Sequence, residues 1–228
     1  MKRVFGAAAA ALLLTACKAP ALRPTAPAAP VESLASMPVE QLASAVADDA
    51  RRSDAEPDAK IREQLAADAE RNAQACLDRA PQAAACLYYH AIALGLEARA
   101  HPLHAGETLK SMLNALGAAE AADAQIDEAG PVRVKALVLI KAPAWPLGPG
   151  DPDAGLAAAR QAVSLRPQYP PNALALAEAL AKTGDIRGAR EAYARARDLS
   201  QPLPASKDRD DWLRQAEQSL SKLAAPSH

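Results

Sequence analysis

The sequence predicts an all-α fold, a solenoid of helical hairpins with two inserted loops and a C-terminal capping helix. Three observations carry that expectation. Half of the 228 residues are hydrophobic but only 3% are aromatic, and alanine is abundant throughout. Such a chain makes helices that pack closely through small side chains. No stretch alternates Val, Ile and Thr with polar residues in the two-residue period of a strand. Finally, a pattern recurs: Gly150-Asp151 and Gly184-Asp185 lie 34 residues apart, as do Ala162 and Ala196, and Leu165 and Leu199.

The amino terminus comes first in the chain and sets the compartment. Lys2 and Arg3 precede an apolar run from Val4 to Leu14 that is too short to span a bilayer, so residues 1–16 read as an export signal. It ends Leu14-Thr15-Ala16-Cys17, which resembles a bacterial lipobox. The resemblance implies cleavage before Cys17 and a covalent lipid on that residue, the one attached group expected. Several acyl chains would hold the chain firmly at a membrane, at about 0.8 kcal/mol per buried methylene. Lys18 follows where an Asp would retain a lipoprotein at the inner membrane, which implies the bacterial outer membrane, periplasmic face. Residues 17–38, "CKAPALRPTAPAAPVESLASMP", are rich in Ala and Pro and read as an extended tether. Residues 39–228 then form one helical domain. Loss of the signal moves the net charge from −1 to about −3, neither a nucleic-acid footprint nor a strongly acidic one.

Helices are expected at 40–50, 57–80, 83–100, 104–122, 131–142, 151–166, 170–183, 185–199 and 206–224. In the pair flanking Gly184, residues Ala189, Tyr193, Ala196 and Leu199 follow the turn, and Leu176, Ala177 and Leu180 precede it. These offsets resemble a tetratricopeptide (TPR) repeat, in which small residues at the crossing points let helix B approach helix A. Gly155, Ala159 and Ala162 fall at fixed distances before Pro167, and Ala69, Ala73 and Cys76 at the same distances before Pro81. The spacing between those prolines exceeds two repeat periods, and "ADAQIDEAG" (122–130) and "APAWPLGPG" (142–150) absorb the excess as insertions. The last helix gathers Trp212, Leu213, Ala216, Leu220 and Leu223 on one stripe, as a solenoid cap does.

Cys76 and Cys86 stand five residues on either side of Pro81. A turn at Pro81 between antiparallel helices brings them level. An exported chain can join them as a disulfide; reduced, they are small core residues. A zinc site is the other alternative, with Cys86 and His90 one turn apart and Cys76, His101 or His104 nearby. The bland reading of His90 is a core histidine.

No nucleophile elbow, phosphate loop, His-Glu-x-x-His or dinucleotide glycine pattern appears, so neither an enzyme nor a cofactor or metal site is expected. The prolines of "GPGDPD" remove the amide donors that a phosphate nest needs, and Asp151 or Asp153 reads as a helix cap. Binding candidates are few. In the TPR frame Tyr88 and Ile92 face the concave groove; alternatively the rings fill the core. Trp145 sits in a proline-stiffened loop, as a partner anchor or a plug over the insertion. Glu178 and Lys182, on the helix at 170–183, complete the set.

Pro143, Trp145 and Pro146, followed by Pro167, Tyr169, Pro170 and Asn172, resemble the Pro-x-Trp-Pro loop and Pro-x-Tyr-Pro-x-Asn turn of TPR lipoproteins associated with TRAP-type (tripartite ATP-independent periplasmic) transporters. The likeness spans roughly residues 60–200. It implies an accessory protein that contacts a solute-binding protein and passes a small, partly apolar ligand. The broader expectation is a non-enzymatic scaffold for an unidentified periplasmic or membrane protein, with no nucleic-acid partner.

Overall fold

The computed structural model describes residue 34 and residues 36–224; the signal segment, Cys17 and most of the tether lie outside them. Among the described residues, nine α-helices follow in order: α1 (Val39–Ala55), α2 (Ala59–Arg79), α3 (Ala84–Ala100), α4 (Ala105–Asp123), α5 (Ile126–Lys141), α6 (Pro152–Leu165), α7 (Pro170–Lys182), α8 (Ile186–Ser200) and α9 (Lys207–Ala224). A short 3-10 turn, Pro102–His104, joins α3 to α4. The described residues hold no strand, only one isolated bridge between Ala144 and Gly150. None of their helices is long and apolar enough to cross a membrane.

Each helix packs chiefly on its neighbours in sequence, which makes the all-α solenoid that the repeat predicted. The caps explain the boundaries. Asp58, Asp151 and Asp185 accept hydrogen bonds from the first-turn amides of α2, α6 and α8. Pro152 and Pro170 open α6 and α7, where a missing N–H costs nothing. Gly184, at φ +89, supplies the left-handed turn between α7 and α8. At the crossings, alanine after alanine is buried: Ala136, Ala158, Ala159 and Ala162 between α5 and α6, and Ala173, Ala177, Ala189 and Ala196 between α7 and α8. Trp212, Leu220 and Leu223 of α9 cover the second group, as a cap should.

Two expectations are corrected. The first helix continues to Ala55 rather than ending at residue 50, because nothing between Arg51 and Ala55 breaks it before Pro57. The segment 122–130 is not an open insertion. Helix α4 runs into it as far as Asp123, and three consecutive residues then turn left-handed: Asp127 (φ 49, ψ 47), Glu128 (φ 54, ψ 49) and Ala129 (φ 66, ψ 34). Pro131 follows, at the start of the right-handed part of α5. The segment 142–150 is a loop, as expected.

Cys76 and Cys86 are joined, with Sγ–Sγ 2.06 Å and Cα–Cα 5.3 Å, at the turn between α2 and α3. Both are fully buried, and Leu34, Met37 and Val39 pack over them. With both sulfurs in the bond, the zinc alternative has no thiolates. The bond closes a loop of ten residues. Replacing both cysteines by alanine is therefore expected to lower stability by roughly 2–3 kcal/mol, read as a drop in melting temperature that reducing agent does not deepen.

Asp49 of α1 is buried against α2, with Arg52 Nη1 3.1 Å from Oδ1. Burial pushes its carboxyl up to about 6; Arg52 pulls it down, and Asp68 and Asp48 add to the rise. The unfolded carboxyl titrates near 3.8. Well above pH 6 the folded state therefore carries the whole penalty of a buried charge; the penalty shrinks as pH falls below 6 and is gone only well below 3.8, where both states hold the proton. Asp49→Asn should raise stability at pH 8 by about 2–3 kcal/mol and leave it nearly unchanged at about pH 3, measured by urea unfolding across that range.

Candidate binding site

Gly95 and Ala98 on α3, Ala105 on α4 and Ala142 after α5 are too small to fill the space between their helices. A pocket of about 460 Å³ remains. Leu109 and Met112 of α4 form one wall, and Val134, Leu137 and Val138 of α5, spaced for one helical face, form the other. Pro143 closes one edge. Met112 packs against position 95, where a Cβ would sit 3.0 Å from its Cε.

The polar lining is confined to two cations, each held from outside. Arg99 bonds Asp54 at 2.7 Å and Ser53 Oγ at 2.6 Å, both at the end of α1. Lys141 Nζ lies 2.8 Å from Glu178 Oε2 on α7, and Gln215 donates to the other oxygen at 2.7 Å. Glu178, a candidate from the sequence, thus holds a cation at the pocket lining. The pocket falls within the size range of small-ligand sites, apolar with few polar groups.

What sets the α5 wall is a polar bracket behind it. Arg133, largely buried, donates from Nη1 to the carbonyls of Asp127 (3.1 Å) and Glu128 (3.0 Å) and to Asn172 Oδ1 (3.2 Å). Its Nη2 reaches Asp127 Oδ2 at 2.9 Å. The Tyr88 hydroxyl donates to the same carboxylate oxygen at 2.7 Å. Asn172 Nδ2 donates to the carbonyls of Glu128, Ala162 and Arg166 at 3.1–3.2 Å. A left-handed turn of non-glycine residues costs roughly 1–2 kcal/mol per residue, and these bonds hold Asp127 and Glu128 in it. Burial, and then the Asp127 carboxylate, hold the Tyr88 phenol well above its ordinary range, so it stays a donor. Arg133 also lies 5.1 Å above the Tyr169 ring, and Tyr169 meets Trp212 edge-on at 5.6 Å. The bracket spends its donors on itself; its product is the position of α5.

The sequence candidates are therefore scattered. Tyr88, expected on a groove face, is only 3% exposed and points at Asp127, because Gly130 leaves room: a Cβ there would lie 2.7 Å from the hydroxyl. Ile92 is half-buried between the α2–α3 and α3–α4 clusters. Trp145 is 84% exposed and does not fold back as a plug. Lys182 is exposed at the end of α7. Asp127, Arg133 and the pocket wall were not singled out in the sequence, although Gly130-Pro131 marks the break inside α5.

The tetratricopeptide repeat family matches residues 147–204, which take in α6, α7 and α8. Among solved structures, a thermophilic TPR protein of Thermus thermophilus aligns with a TM-score of 0.54 at 22% identity, covering 72% of this chain and 82% of that one. That likeness speaks to the fold. No curated protein matches the chain in sequence.

Proposed function

We propose that the chain is a non-catalytic scaffold, tethered through a lipid on Cys17 to the periplasmic face of the outer membrane, whose TPR hairpins hold another protein. The observation that supports it is the continuous stack of α5 to α9, within which residues 147–204 match the repeat family. Stacked hairpins of this kind present an extended surface to a partner. The test is cross-linking in intact envelopes followed by affinity recovery. One stoichiometric partner is expected, reduced several-fold by Lys182→Glu; recovery of no specific partner overturns the reading. Labelled palmitate should enter the wild type and not Cys17→Ala.

The pocket favours a second reading: an accessory of a TRAP-type transporter that holds a small, partly apolar ligand or receives a solute-binding protein. A body of 460 Å³ bounded by aliphatic side chains suits an apolar ligand, and Arg99 and Lys141 suit a polar end on it. Native mass spectrometry of protein purified from envelopes should show a bound small molecule, and Val138→Trp, which fills the pocket, should abolish it.

A further inference from the structure

The three most exposed large apolar side chains among the described residues lie at one edge of the molecule. Leu103, in the 3-10 turn before α4, is 94% exposed; Trp145 and Leu147, in the loop after α5, are 84% and 78% exposed. The two tips abut. Gly106 lies so close to the loop that a Cβ there would be 2.9 Å from the Leu147 carbonyl oxygen. We propose that these paired tips insert into the interfacial layer of a lipid bilayer, with Trp145 at headgroup depth and Leu103 and Leu147 beside it.

The backbone of the tips argues for lipid over a protein surface. Lipid tails return no hydrogen bonds, so a loop that enters only to headgroup depth does best with few unpaired groups. Pro102, Pro143, Pro146 and Pro149 have no N–H to satisfy. The amides of Leu147 and Gly148 donate to the Ala144 carbonyl, that of Gly150 to Pro143, and that of Ala142 to Val138, which leaves the amides of Ala144 and Trp145 to the hydrated headgroup layer. His104 N–H donates back to His101 in the same way.

Charge supports the same occupant. The lysine and arginine side chains flanking the tips have acidic neighbours: Lys141 has Glu178, Arg99 has Asp54, and Lys110 has Glu107. No net positive field remains to select anionic lipid, so apolar insertion drives the contact. Tryptophan is the side chain best suited to the membrane–water boundary. Because Ala105 and Pro143 line the pocket and flank the tips, insertion also turns the pocket towards the bilayer. The inference takes from the proposed function only that the protein works at a membrane, and does not need the lipid on Cys17.

The chain has two tryptophans, Trp145 and Trp212, so each can be followed alone. The full chain carrying Trp212→Phe is mixed with phosphatidylcholine vesicles whose acyl chains are brominated. Trp145 emission should shift to the blue and fall roughly two-fold or more as the ring enters the brominated layer. The change should persist when salt rises from about 50 to about 500 mM. The Trp145→Phe chain, reporting Trp212, should stay unquenched. Adding Leu103→Ser and Leu147→Ser, both at exposed positions that folding does not require, should abolish the Trp145 response. If the chain floats with vesicles but Trp145 stays unquenched, the tips do not insert and the lipid-anchor reading survives. If it neither floats nor quenches, both fail. Quenching that demands anionic lipid and vanishes in salt overturns the apolar mechanism.

Discussion

Replacing Asn172 with leucine is expected to remove about 3–4 kcal/mol of stability, among the largest losses from a single change in this chain. The side chain is fully buried. Its amide serves three carbonyls on two elements, and its oxygen receives Arg133. Leucine offers the volume without any of these bonds. Arg133 then keeps a buried donor short of a partner, and the left-handed turn loses its tie to α7. Aspartate is the sharper control. It keeps the shape and the bond from Arg133, but turns two donors into acceptors facing three carbonyl oxygens. Asn172→Asp should therefore also destabilise, by about 2 kcal/mol, with partial recovery at low pH where the carboxyl regains a proton. Thermal and urea unfolding measure both. A loss below about 1 kcal/mol for leucine would show that the bracket does not hold the turn.

The second large effect belongs to Gly155, in the first turns of α6. A Cβ at this position would meet Ile140 Cγ1 at 2.7 Å, the Ala136 carbonyl at 3.2 Å and Leu139 Cβ at 3.3 Å. One of those is backbone and another is a Cβ, so neither can swing away. Gly155→Val should force α5 and α6 apart at a cost of about 2–4 kcal/mol, well beyond any gain in helix propensity. Gly117→Ala is the contrast, since nothing lies within 4 Å of a Cβ there, and it should be neutral or stabilising. Because α5 carries the pocket wall, Gly155→Val should also weaken binding of whatever occupies the pocket.

How much of this was legible in the sequence follows from what each signal measures. Helix positions were readable because their determinants are local: Asp caps at 58, 151 and 185, prolines at 152 and 170, and a glycine at 184. The crossing-point alanines were readable because a repeated hairpin needs small residues at repeated places. The Cys76–Cys86 pair was readable because Pro81 sits midway between them. The bracket was not. Asp127 and Arg133 look like ordinary surface charges, and only the approach of α3 and α7 makes them partners of Tyr88 and Asn172. No local pattern encodes a left-handed run of Asp, Glu and Ala, since its cost is met by contacts 39 and 44 residues away in sequence. The pocket was equally hidden, because it is a space left by small residues on α3, at the start of α4 and just after α5. Trp145 was visible as an oddity; its exposure beside Leu103 was not.

The alanine-rich crossings carry a further consequence for calorimetry. Among the described residues, more than half of the buried apolar side chains are alanine, which hides little surface each. Unfolding should then release less hydrocarbon to water per residue than in a leucine-rich protein of equal length, and the heat-capacity increment should fall below about 12 cal/mol/K per residue. A small increment flattens the curve of free energy against temperature. The molecule should therefore resist cold denaturation well.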